Sequence, residues 1–258
     1  AWVRLLIPVL GSSTYSFTLM LVAFISGITF GSWLVGKILP RIKNLFGFLA
    51  YCQAGVAVSL LITLPLYARV PYYFWHAAHI LTRSESTYPL FLFIQFLFGF
   101  LIMFVPTIFL GMTLPVASRI ASQRLEILGK TVGNVFSINT LGTVIGALAA
   151  GLLLIPVIGV KSTIEFGILL NIAAAITVLM ADKNETLLKK LAVVSIVAMT
   201  ALFTLLSGSQ WNKLIMLSGV FRQINKNSAP PESFAAFVNM NAENNVLYYK
   251  EGASATVA

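Results

Sequence analysis

From Thr131 to Val160 the chain carries no charged residue, and that run limits what it can fold into more than any other feature. A helix crosses the hydrocarbon core of a bilayer in about twenty apolar residues. The run exceeds that length, and a helix apolar on every side is not the surface helix of a soluble domain. Taken from Gly129 to Gly159 it reads GKTVGNVFSINTLGTVIGALAAGLLLIPVIG, a transmembrane helix with more glycine than contact with lipid calls for. At helical spacing Asn139, Gly142, Gly146 and Ala150 share one face. Small residues four apart let a second backbone come close, which is how helices associate where burial from water contributes nothing. Asn139 on that face is expected to hydrogen-bond to a neighbouring helix or to line a polar cavity, and the rest of the membrane region to pack around this helix.

Composition points the same way. Of 258 residues, 58% are hydrophobic and 10% charged, against about a quarter charged in soluble domains. The chain reads as an integral membrane protein. Its net charge of +9 does not indicate nucleic acid, because the basic residues sit in short links between apolar runs. The single Cys52 excludes an internal disulfide and reads as a small core residue. Both ends look cut, so the chain is expected to be an internal piece of a larger protein.

Residues 1–11, AWVRLLIPVLG, are too short to span and are expected to end an upstream helix or form a re-entrant link. The first complete crossing runs from Ser12 to Leu39, where Ala23, Gly27 and Gly31 repeat the small stripe. A second spans about Leu45 to Tyr67. The link after it holds Tyr72, Tyr73, Phe74 and Trp75, an aromatic belt at headgroup level. His76 and His79 have the spacing of two metal ligands on one helix face, but no third ligand is near, and they read as interfacial. The third crossing, about Leu90 to Leu110, contains Pro106 and leads into GMTLPVASR at 111–119, where Gly111 and Pro115 are expected to help kink or break the helix. The glycine-rich helix follows as the fourth. A fifth, Ser162 to Met180, contains Glu165, which reads as an interfacial cap, and Asn171, which like Asn139 reads as a helix-packing residue. A sixth runs from about Leu191 to Leu206. After Ser207 the chain turns polar, and NNVLYYKEGASATVA reads as an extended segment, a turn at Glu251 and Gly252, and the start of a second strand.

Basic residues divide unevenly between the two sets of links. Lys37, Arg41, Lys43, Arg119, Arg124, Lys130, Lys183, Lys189 and Lys190 fall on one face, and Arg4, Arg69, Arg83 and Lys161 on the other. The richer face is expected to be cytoplasmic. Six crossings then place the polar region after Ser207 outside the cytoplasm.

Several stretches carry a resemblance: AWVRLL with LGSSTYSFTLMLVAFISGITFGS, GMTLP at 111–115, VGNVFSINTLGTVIGALAAGLLLIPVIGV, WNKLIMLSGVFR at 211–222, and LYYKEGASATV at 247–257. In this order they resemble the membrane-embedded members of the spermidine synthase (polyamine aminopropyltransferase) family, in which a major-facilitator-like helical region is fused to a synthase-like domain. The resemblance implies transfer of an aminopropyl group from decarboxylated S-adenosylmethionine to a polyamine, in a bacterial inner membrane. That chemistry needs a glycine-rich turn to approach the nucleoside and carboxylates to hold the amine and take its proton. After Ser207 the acids are Glu232, Glu243 and Glu251, and no such turn follows. No catalytic, cofactor-binding or metal-binding residue is therefore assigned.

The expected architecture is an all-α polytopic membrane region of about six to seven transmembrane helices over residues 1–207. Over 208–258 the junction and the first strands of an α/β synthase-like domain are expected. Lipid is the expected partner, with a polyamine or other small cation as substrate. The residues singled out for helix packing or a polar membrane site are Asn139, Gly142, Gly146, Glu165 and Asn171. The alternative function is half of a major-facilitator-like transporter for a small polar or cationic solute.

Overall fold

The computed structural model describes residues 2–79, 85–122, 128–182, 186–206, 215, 218–220, 229–242, 250–252 and 256–257. Nearly all of them are helical. Helix α1 (Trp2–Leu10) leads into α2 (Thr14–Ile38), α3 (Leu45–His79), α4 (Tyr88–Ala121) and α5 (Leu128–Leu148). A π-helical turn, Ala149–Leu154, joins α5 to α6 (Ile155–Ala181), and α7 (Leu187–Leu206) and the short α8 (Phe234–Ala242) follow. Two-residue strands β1 (Lys250–Glu251) and β2 (Thr256–Val257) pair antiparallel.

Helix α2 shows why the bundle suits lipid rather than water. Its buried residues are Ser16, Met20, Ala23, Gly27, Gly31 and Val35, spaced three or four apart and mostly small. Its large side chains, among them Phe17, Leu21, Ile25 and Phe30, point outward. Small residues inside and large apolar residues outside is the arrangement that packs helices in hydrocarbon. Among the described residues, four helices are long and apolar enough to cross a membrane: Thr14–Arg41, Leu45–His79, Tyr88–Ala121 and Gly129–Ala181. That is fewer than the six to seven expected. The expected fourth and fifth crossings fall within the single 53-residue Gly129–Ala181, because the helix runs on through Pro156 and bends only at Gly159, where φ is 84°.

The expected centre of packing was α5. The structure puts α3 there instead, in contact with α1, α4, α6, α7 and α8, and buries it from Gly47 to Ala78. Helix α3 also does not stop at Tyr67. It continues through Pro65 and Pro71 to His79, and α4 likewise passes Pro106 and Pro115 without breaking. A proline inside a helix leaves the carbonyl four residues back without its donor, and for Pro115 that carbonyl belongs to Gly111. Ser32 Oγ on α2 donates to it at 2.8 Å, so a neighbouring helix supplies the bond that the ring removed. Replacing Ser32 by alanine is expected to cost about 1 kcal/mol, the scale of a single interhelical hydrogen bond in a membrane, measured by thermal unfolding in detergent.

Helices α2 and α4 run parallel and in register. Ser16 meets Gln95 near their first turns and Ser32 meets Gly111 near their last, with the same offset of 79 residues. Gly27, Gly31 and Gly111 form the seam: a Cβ at Gly31 would overlap the Ile108 carbonyl, and one at Gly111 the Ile28 carbonyl. Helix α1 ends at Gly11, whose φ of 98° suits glycine, and Ser13 caps α2 by accepting from the Ser16 amide at 3.1 Å. The Leu10 carbonyl freed by this break accepts from Gln95 Nε2 at 2.6 Å and from Ser16 Oγ at 3.3 Å.

The α/β domain expected over 208–258 is not seen. Among the described residues the only sheet is the β1–β2 pair, too small to bury a face of its own. Most of 211–222 and of 247–257, which carry the resemblance, lies outside the described residues.

Candidate functional site

The five residues singled out in the sequence do not converge. Asn139, Gly142 and Gly146 lie on α5, which is exposed along nearly its whole length, and a Cβ at Gly142 or Gly146 would meet nothing within 4 Å. The chain's close helix approach is therefore at Gly27, Gly31 and Gly111 and not on this stripe. The spacing was the same in both places, and spacing does not say which stripe meets a partner. Glu165 pairs with Lys161 one turn earlier at 3.5 Å, both side chains more than a third exposed. Asn171 Nδ2 donates to the Gly167 carbonyl of its own helix at 2.8 Å. An exposed i,i+4 ion pair contributes little, and Glu165→Gln is expected to change stability by less than about 0.5 kcal/mol. A larger loss on thermal unfolding would give Glu165 a role that its surroundings do not.

The structure builds three polar or aromatic arrangements elsewhere. The first is the knot of Ser13, Ser16, Gln95 and the Leu10 carbonyl. Gln95 is 2% exposed and Ser16 1%, and Ser16 Oγ lies 3.4 Å from Gln95 Oε1 and 2.9 Å from Ser13 Oγ. Its groups bond to one another and to the end of α1, so it closes a helix break rather than opening a binding site. A lone glutamine in an apolar run was the available signal.

The second joins the ends of α2 and α6. Asn44 caps α3, its Oδ1 accepting from the Gly47 amide at 3.1 Å, while its Nδ2 donates to the buried Asp182 carboxylate. Lys190 Nζ donates to the Asp182 carbonyl at 2.6 Å. This cluster ties the α2–α3 link to the α6–α7 link. An asparagine before an apolar run is a cap signal, and nothing in the sequence signals its partner 138 residues away.

The third is the seat of α8 on the last three turns of α3. Phe237, fully buried, stands edge-on to Trp75 with centroids 6.0 Å apart and lies 5.9 Å from Tyr72. Phe234 stands edge-on to Tyr72 at 5.8 Å, with the Arg69 guanidinium 5.8 Å from its ring. His76 Nε2 lies 3.0 Å from the Pro231 carbonyl, to which it donates, and Tyr72 donates to the Glu232 carbonyl at 3.4 Å. His79 is exposed on the next turn. The aromatic cluster read as an interfacial belt thus holds a protein segment as well.

No family model, curated protein or solved structure matches the chain.

Proposed function

We propose that the chain is the membrane region of a spermidine synthase-like aminopropyltransferase, an anchor that seats the opening of a soluble S-adenosylmethionine-type domain and lies in a bacterial inner membrane. The observation that carries this reading is the α8 seat. A polar segment is fastened to a helical bundle by two buried aromatics, which a plain transporter does not require. The five sequence stretches of the resemblance supply the chemical class, with decarboxylated S-adenosylmethionine as donor and a polyamine as acceptor.

In this reading Gly129–Ala181 crosses the membrane twice. Its 53 residues extend about 80 Å as helix against a hydrocarbon core of about 30 Å, and Gly159 is the turning point. With α7 the chain then makes six crossings. A transporter half is less well supported. Glu165, the acid that would serve a substrate path, sits exposed beside Lys161, and the buried polar knot at Gln95 is occupied by the chain's own carbonyl.

The test is an assay of the whole protein in native membranes with decarboxylated S-adenosylmethionine and a diamine, reading methylthioadenosine release. Release that depends on both substrates supports the proposal. A folded protein that releases none, yet accumulates labelled polyamine in sealed vesicles, replaces it with the transporter reading.

A further inference from the structure

We infer that the polar residues 229–242 and 250–252 are held on the non-cytoplasmic face of the membrane, so that whatever this segment leads into acts on a solute of that side. The inference concerns placement alone and does not depend on the transferase reading.

Three observations define two faces. At one, the Asn44–Asp182 contact pins the end of α2 and the start of α3 to the end of α6, and Lys190 brings in the start of α7. The parallel register of α2 and α4 sends the end of α4 to the same face. Val35, Cys52, Met112 and Val116 make a small apolar cluster beneath it. At the other face lie the end of α3, the start of α4 and the Gly159 bend into α6.

The contacts of α8 are at this second face. Helix α8 rests on Tyr72, Trp75 and His76 at the end of α3. Strand β1 lies against α6, and the Arg4 guanidinium of α1 donates to the Gly252 carbonyl between the strands. Ile215, Val220 and Phe237 are part of the same apolar cluster as Leu5, Leu6, Trp75 and Val160. The seat of α8 on the end of α3 carries the placement.

Charge assigns the faces to compartments. The links at the first face carry Lys37, Arg41, Lys43, Arg119, Arg124, Lys130, Lys183, Lys189 and Lys190. The links on the other side carry Arg4, Arg69, Arg83 and Lys161, and the sequence within about twenty residues after α7 adds Lys213, Arg222 and Lys226. Lysine and arginine near helix ends are retained in the cytoplasm, and nine against seven still favours the first face when those three are counted. The segment consequently faces away from the cytoplasm. A donor made inside the cell would reach it only by crossing the membrane.

The test uses the whole protein in intact cells with single-cysteine variants and a membrane-impermeant maleimide. Asn239→Cys and Ala235→Cys sit on the exposed side of α8, and Lys43→Cys is exposed at the opposite face. Native Cys52 is 2% exposed, and a Cys52→Ala background removes it altogether. The expected result is labelling at 235 and 239 in intact cells, with labelling at 43 only after permeabilisation. Labelling at 43 in intact cells with 235 and 239 protected overturns the inference, and so does the same accessibility at all three. A failed aminopropyl assay alongside the expected labelling would remove the transferase reading and leave the placement intact.

Discussion

Leucine in place of Gly31 or Gly111 is expected to be among the most damaging single changes in the chain. At both positions the first added carbon would overlap the backbone of the facing helix, the Ile108 carbonyl for Gly31 and the Ile28 carbonyl for Gly111. Neither carbonyl belongs to a side chain that turns aside, so the two helices must separate along the seam that also carries Ser32 and Gly111. Overpacking a core commonly costs about 1–3 kcal/mol, and a clash with two helix backbones belongs at or above the top of that range. The matched controls are Gly142→Leu and Gly146→Leu, where the added side chain enters open space. Thermal unfolding in detergent should show a large loss for the first pair and almost none for the second. Equal losses in the two pairs would mean that α5 is packed by a neighbour after all, and equal tolerance would mean that the α2–α4 seam is not as close as described.

Truncating Trp75 or Phe237 to alanine is expected to have an effect of comparable size and of a different kind. Both side chains are buried at 1% exposure or less, and they meet each other across the α3–α8 contact. Removing a buried aromatic costs roughly 3–5 kcal/mol where the site cannot collapse. Phe237 belongs to a nine-residue helix, too short to persist in water without its packing. Its loss should release α8 while α2, α3 and α4 stay folded. Hydrogen exchange read by segment would show protection lost over 234–242 and retained over 95–116. Trp75→Ala should release α8 as well, with a further loss in α3 from the cluster it shares with Phe74 and Leu64. Intact protection of α8 in both variants would show that the aromatic contact does not hold it.

How far the chain could be read depended on the kind of signal. Length of apolar run is a one-dimensional property, so the starts of α2, α3 and α4 near Ser12, Leu45 and Leu90 were legible to within a few residues. Helix ends beyond a proline were not. Pro115 reads as a break until Ser32 is known to sit opposite the Gly111 carbonyl. Tyr72 to Trp75 read as a belt around a loop until the loop proves to be three more turns of α3. Asn139, Gly142 and Gly146 carried the clearer pattern, yet the close contact formed at Gly27, Gly31 and Gly111.

By itself the sequence determined that this chain spans a membrane, roughly where its helices begin, and which links carry the positive charge, since each depends on residues adjacent along the chain. Only the tertiary structure decided that α3 and not α5 is the centre, that Asn44 meets Asp182, and that the polar segment is fastened at the end of α3. In lipid every helix is apolar on most sides, and hydrophobicity no longer distinguishes a packed face from an exposed one. The choice of neighbour then rests on close fit and a few hydrogen bonds, which exist only when two distant stretches of the chain are brought together.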